Sequence, residues 1–446
     1  MAQRQISSSG GLLKPASAAS QLAKPAKQPF QHLPPLPRDG NFSSELPRTT
    51  SVAPGLTVAR IPELPHVDSD QRKVSVGWKN GVISQFHHIW LRDHCRCSEC
   101  LHPVTKQRLV NTFQIPPNVR PVCVESKPTG LEVTWTTSHR STYPWEWLSR
   151  SSYDPPMKHS LSFNANSNKI LWGSDIERSP PMVTYEEVMK NDTGVYKWLE
   201  KIDEFGFCFV SGVPPNPEDT EALTRRISFI RDTKYGGFWD FTSDLKHGDT
   251  AYTNLALGAH TDTTYLSDPC GLQLFHLLLH EGTGGKTLLV DGFYAASKLK
   301  QEYPSHYKLL TEVKISAHAA GDADSLYIPD EPFTILKIDI NGDIMRVRYN
   351  NDDRSALKYI DPVLVDDWYG ALRSWNHCLT SPETEFWVRL TAGTVVVVDN
   401  HRVLHGRSAF TGKRRMCGAY VGADEWKSRL RVLSQSIDEK AWDSEF

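Results

Sequence analysis

Between Val74 and about Leu148, short apolar runs alternate with turn residues: VSVGW, FHHIWLRDHC, VCVE and LEVTW. Runs of this length, rich in β-branched and aromatic residues, predict the strands of a small β-rich region at 56–150. A polar stretch with Pro and Asn follows at 151–180 and reads as a linker. The pattern then turns helical. TYEEVMKNDTGVYKWLEKIDEFG and DTEALTRRISFIRD predict helices, with the apolar strand FCFVSGV between them. Beyond Tyr252 strands dominate: GLQLFHLLL, KTLLVDGF, TILKIDI, DIMRVRYN, WVRLTAGTVVVVDN and RRMCGAYV. Two helix-like segments, ASKLKQEYPSHYKLLTEV and LVDDWYGALRSWNHCL, interrupt them. Closely spaced strands with few helices predict a mainly β domain over 181–446, a barrel or jelly roll decorated with helices.

Composition narrows the function classes. With 39% hydrophobic residues and 13 Trp in 446, the chain has ample material for a core. Lys and Arg number 50 against 52 Asp and Glu, so no polyanion or membrane surface is indicated as main partner. No apolar run approaches the ~20 residues of a membrane span. Residues 1–55 are rich in Ser, Ala, Pro and Gln, and their first acidic residue is Asp39. That composition suits either a disordered tail or a mitochondrial transit peptide, which leaves mitochondrial matrix and cytoplasm both open. Eight cysteines are too few for a disulfide scaffold. Three of them, Cys95, Cys97 and Cys100, cluster as C-x-C-x-x-C, which points to a metal site in a reducing compartment.

A second metal constellation lies in LGAHTDTTYL. His260 and Asp262 are two apart, so on a strand they project from one face. A third imidazole completes a two-His, one-carboxylate set, which leaves three positions of Fe(II) open for a bidentate co-substrate and dioxygen. His405, in VVVVDNHRVLHGR, follows a very apolar strand and is favoured over His401. A 2-oxoacid chelating that iron needs a planar bidentate donor for its far carboxylate. Arg414 and its neighbour Arg415 both qualify, and the Thr287 hydroxyl is a further candidate.

These motifs resemble a known family, the iron- and 2-oxoglutarate-dependent oxygenases of carnitine biosynthesis. The resemblance runs from about Pro65 to the C-terminus. It is carried by WLRDHCRCSEC, ISFIRDTKYGGFWDFTSD, GDTAYTNLALGAHTDTTY, HEGTGGKTLLVDGFYAA, VRYNN and VLHGRSAFTGKRRMCGAY. It implies a double-stranded β-helix (jelly-roll) oxygenase domain behind a small zinc-binding domain. It further implies His260, Asp262 and His405 as iron ligands and Arg414 as the 2-oxoglutarate arginine. By the same likeness, Zn(II) is held by Cys95, Cys97, Cys100 and His139. A cage of Tyr235, Trp239, Tyr252 and Tyr420 is implied for a trimethylammonium group, which offers no N–H and binds aromatic faces. Tyr235 and Trp239 would share a face if that stretch is helical.

Two polar positions bear on substrate. Asp249 would pair with the α-ammonium of trimethyllysine, and Asn350 would bond its carboxylate. The implied activity is hydroxylation of trimethyllysine at C3 with 2-oxoglutarate and O2, aided by ascorbate, in a homodimer. The sister reaction on γ-butyrobetaine, which lacks the α-ammonium, is the near alternative. A module that only reads trimethylated lysine would have no need of an open metal face.

Overall fold

The computed structural model describes residues 64–157, 169–242 and 253–435, which all belong to the unit Glu63–Phe446. Residues 1–55, Asp249 and Tyr252 lie outside them. Two sheets organise the larger region. The first is six-stranded, in the order Met182–Thr184, Phe207–Ser211, Thr394–Asp399, Leu272–Glu281, Lys413–Val421, Trp239–Thr242. The second is four-stranded, in the order Leu257–His260, Val403–Arg407, Thr287–Asp291, Phe386–Val388. Every pairing is antiparallel except that of Met182–Thr184 with Phe207–Ser211.

The sheets face each other across a shared core. Val396, Val398, Phe207 and Phe209 of the first sheet pack with Leu289, Val403 and Phe386 of the second. Side chains alternate along a strand, so Val395 and Val397 point the other way. There they meet Trp198, Leu199, Ile202 and Trp426 from the helices Asp192–Phe205 and Ala423–Gln435. On the far side Leu288, Val290 and Leu404 pack under the helices Gly292–Glu302, Pro304–Glu312 and Val365–Leu379. Burial on both faces explains why the central strand reads as an unbroken Val395–Val398 run.

The N-terminal β-rich region has two three-stranded sheets and its own core, including Val74, Phe86, Leu131, Val133 and Trp135. The expected strand FHHIWLRDHC is half right. A strand Ile83–His87 gives way to a helix, His88–Asp93, whose buried His88 and Leu91 are three apart. That spacing is helical rather than extended. The helix expected over residues 184–206 is two, broken at Asn191, whose side chain caps the second by accepting from Gly194 N–H. DTEALTRRISFIRD is helical only as far as Arg225. The helix Ala423–Gln435 was not anticipated, although Trp426, Leu430 and Leu433 carry helical spacing.

One ion pair ties these layers together. Arg402 and Asp291 are both fully buried, with Nε and Nη2 donating to the two carboxylate oxygens at 3.0 and 2.8 Å. Arg402 also donates to the carbonyls of Glu204 and Ile170, and Asp291 caps the helix Gly292–Glu302 through Phe293 N–H. Removing one partner strands a buried charge. Asp291→Ala is therefore expected to lower unfolding free energy by about 3–5 kcal/mol, read as a lower urea midpoint. A midpoint within error of the unmodified protein would contradict this role.

Candidate active site

His260 ends its strand directly opposite His405. The backbones approach closely there: a Cβ on Gly406 would lie 2.6 Å from the Leu257 carbonyl oxygen, so the position after His405 must be glycine. Asp262 lies beyond the strand, not on it, because the pairing with Val403–Arg407 ends at His260. A loop places it instead. Its N–H donates to Asn400 Oδ1 at 2.7 Å, and Asn400 Nδ2 returns a bond to its carbonyl at 3.0 Å. Thr263, next along, adopts φ +57°. Asp262 Oδ1 then sits 3.2 Å from His260 Nε2 and 3.5 Å from His405 Nε2. His401 points elsewhere, onto the Pro269 carbonyl.

The electrostatics of the trio are those of groups that need a shared cation or proton. Burial disfavours charge on His260, but the Asp262 carboxylate overrides it and raises the imidazole to about 9. Burial likewise opposes the Asp262 charge, yet the two imidazoles hold its carboxyl well below the usual range. His405 is pushed down by burial and by His260. His260 Nδ1 lies 2.8 Å from the Gly258 carbonyl, which fixes the tautomer and turns Nε2 into the pocket as a lone-pair donor. Three donors this close, all on one side, fit a first-row dication whose ligand bonds are ~2.1 Å and whose adjacent ligands are about 3 Å apart.

The same cavity is lined by Arg414, Thr287, Tyr235, Trp239, Asn350 and Tyr420. Arg414 is 5% exposed, and among the described residues its Nε has no hydrogen-bond partner. Burial, then the neighbouring Arg407, lowers it to about 10. Among the described residues no carboxylate pairs with this buried guanidinium, which suits it to an anionic ligand. Arg415 faces outward in an ion pair with Asp240, so the two candidates separate cleanly. Thr287 pairs across its strand with Arg407, whose Nη2 donates to the Thr253 and Leu255 carbonyls.

Trp239 is on a strand, not a helix, and so does not share a helical face with Tyr235. The reason is pairing: Trp239 lies opposite Gly418, where a Cβ would be 2.5 Å from the indole ring. Its ring is 6.5 Å from Tyr420 and 6.0 Å from Phe275. Tyr235 and Tyr265 hydroxyls are 3.2 Å apart. Asn350 donates to Asp353 at 3.0 Å and accepts from Asp352 N–H. Gln273, Phe275 and Tyr265 also line the cavity and were missed. Gln273 had a signal, being the one amide in the apolar strand GLQLFHLLL.

In the N-terminal region His139 Nε2 lies 3.2, 3.6 and 3.6 Å from the sulfurs of Cys95, Cys97 and Cys100. A tetrahedral Zn(II) with bonds of ~2.3 Å to sulfur and ~2.1 Å to nitrogen has an S–N edge of about 3.6 Å. The donor set therefore fits. His139 comes from the turn of the hairpin Gly130–Tyr143, after Ser138 at φ +65°. His94 instead stacks on Trp90, and His102 accepts from its own loop. Burial pushes the Cys95 thiol up to about 12, so a thiolate there needs a cation beside it.

The chain matches two families in succession. Residues 66–149 match the family described as gamma-butyrobetaine hydroxylase-like, N-terminal, and residues 172–420 match the taurine catabolism dioxygenase TauD, TfdA family. It is 44% identical to a trimethyllysine dioxygenase of Meyerozyma guilliermondii, over 82% of this chain and 94% of that one. The mitochondrial trimethyllysine dioxygenase of Homo sapiens is 40% identical, over 79% and 83%. A gamma-butyrobetaine dioxygenase of a Pseudomonas species is 34% identical, over 81% and 94%. Among solved structures, a taurine dioxygenase from Burkholderia xenovorans aligns with TM-score 0.41 at 14% identity, over 52% and 82%. This chain thus belongs to the TauD, TfdA family of dioxygenases and, within it, to the trimethyllysine dioxygenases.

Proposed function

We propose that this chain hydroxylates N6,N6,N6-trimethyl-L-lysine at C3, the first step of carnitine biosynthesis, with Fe(II), 2-oxoglutarate and dioxygen. One observation carries the reading: the His260, Asp262 and His405 donors share a cavity with an aromatic wall and with the buried Arg414, whose Nε has no hydrogen-bond partner among the described residues. When bound, iron supplies the redox chemistry that couples 2-oxoglutarate decarboxylation to hydroxylation. His260, Asp262 and His405 hold it on one face. Arg414 receives the far carboxylate of 2-oxoglutarate as a fork, with the Thr287 hydroxyl beside it.

Tyr235, Trp239 and Tyr420 offer ring faces to the trimethylammonium and exclude water from it, and Tyr252 is assigned with them by family resemblance. This orients the chain of the substrate toward the metal without an N–H contact. Asn350, steadied by Asp353, is the candidate partner of the substrate carboxylate, and Asp249 that of the α-ammonium. The facing sheets are read as a double-stranded β-helix. Cys95, Cys97, Cys100 and His139 are read as a structural zinc site that pins the loop after the helix His88–Asp93 to a hairpin turn. The boundaries 56–150 and 181–446, the homodimer and the use of ascorbate follow the family. The mitochondrial names of vertebrate relatives support reading residues 1–55 as a targeting segment.

Three outcomes test this reading. Given Fe(II) and 2-oxoglutarate, the protein is expected to release succinate faster with trimethyllysine than with γ-butyrobetaine, and His260→Ala or Asp262→Ala to abolish both. Equal rates on the two substrates would overturn the substrate assignment, and near-normal turnover in either variant the metal assignment. Arg414→Ala is expected to raise the KM for 2-oxoglutarate ~10–100-fold, the loss of a charge-assisted bond of about 1.5–3 kcal/mol, whereas Arg415→Ala, removing a surface pair, changes it little. The reverse ranking would reassign the arginine. Cys97→Ser is expected to lower zinc content and thermal midpoint together, and absence of zinc from the unmodified protein by elemental analysis would dismiss the cluster as a zinc site.

A further inference from the structure

Asp262 has two carboxylate oxygens, and the fold treats them differently. Oδ1 faces both imidazoles. Oδ2 accepts from Gln273 Nε2 at 2.6 Å and from the Tyr420 hydroxyl at 2.8 Å. Gln273 is 2% exposed on the strand Leu272–Glu281, between the buried Leu272 and Leu274. An amide buried among apolar residues is costly unless its groups are bonded. Here Nε2 is spent on Asp262 and, at 3.3 Å, on the Tyr420 oxygen, while Oε1 finds no partner among the described residues. The strand register sets Gln273 directly opposite Tyr420, so both donors reach one oxygen from adjacent strands.

We propose that Gln273 is a positioning residue which, with the Tyr420 hydroxyl, holds Asp262 Oδ2 out of the metal's coordination sphere. This rests on the iron reading above. The reason is a count of positions. Two imidazoles and one carboxylate oxygen leave three open sites on a six-coordinate ion, two for the co-substrate and one for dioxygen. A carboxylate bound through both oxygens would take the third. Two donors on Oδ2 keep it from turning inward, and so keep the dioxygen position free once 2-oxoglutarate is bound. Such outer partners commonly change metal-site properties by 10–100-fold.

The test uses the full chain loaded anaerobically with Fe(II), with nitric oxide as a dioxygen surrogate detected by electron paramagnetic resonance. Co(II) loading, followed by visible absorption and calorimetry, reports the ligand set without turnover. The variants are Gln273→Leu, which keeps volume and loses the donor, and Tyr420→Phe, the milder change should the first fail to fold. In each, nitric oxide binding with 2-oxoglutarate present is expected to weaken about tenfold or more, while binding without 2-oxoglutarate, when positions are spare, changes little. The Co(II) absorption should shift with the altered ligand set. Equal weakening with and without 2-oxoglutarate would mark a merely structural residue and overturn the proposal. Nitric oxide binding like that of the unmodified protein in both variants would overturn it as well. Failure of the unmodified protein to bind Co(II), or unchanged binding in His260→Ala, would instead overturn the iron reading and the proposal with it.

Discussion

Everything in the pocket depends on how the strand Leu257–His260 is pressed against Val403–Arg407. That pairing sets His260 opposite His405, and it is possible only because Gly406 lets the Leu257 carbonyl approach. The second strand is anchored in turn by Arg402, immediately before it, whose buried bond to Asp291 joins two neighbouring strands of the same sheet. The two imidazoles are thus placed by strand register, which is hard to deform. Only Asp262 is loop-borne, and it is held by Asn400 from behind and by Gln273 and Tyr420 at its carboxylate.

One strand also spaces the two organic ligands. Along Lys413–Val421, Arg414, Met416, Gly418 and Tyr420 alternate onto one face, and Arg414, Met416 and Tyr420 line the cavity. Six residues of strand span ~20 Å. Arg414, the proposed co-substrate carboxylate site, is therefore set apart along the strand from Tyr420, whose hydroxyl bonds Asp262. Gly418 leaves no room for a side chain, since a Cβ there would lie 1.9 Å from the Leu274 carbonyl oxygen and 2.5 Å from the Trp239 ring.

Much of this was legible. His260, Asp262 and the histidine after the Val395–Val398 run could be paired because donors for one metal recur at strand ends. The C-x-C-x-x-C run announced its cluster, although His139 needed the family likeness, since nothing local ties a hairpin turn to Cys95. Other features were hidden for physical reasons. Spacing alone left Arg414 and Arg415 both open, family likeness favoured Arg414, and the strand shows it buried with Arg415 facing outward. Asp262 looked strand-borne because a two-residue spacing cannot reveal that pairing stops at His260. Tyr235 and Trp239 have helical spacing, but Tyr235 sits in the turn Thr233–Gly236 and Trp239 is held by a sheet partner far along the chain. Gln273 needed only the question of why an amide interrupts an apolar strand.

Aromatic wall, buried guanidinium and open donor face have a common logic. Each removes a group from water that only a particular ligand can repay: a quaternary cation, a dicarboxylate and a dication with free positions. The central claim is that these three act together on one substrate. The most direct measurement is isotope incorporation with 18O2, using the Fe(II)-loaded protein, 2-oxoglutarate and trimethyllysine, with products read by mass spectrometry. One labelled oxygen in succinate and one in 3-hydroxy-trimethyllysine is the predicted result. Hydroxylated product without label, or labelled succinate formed with no hydroxylated trimethyllysine, would contradict it.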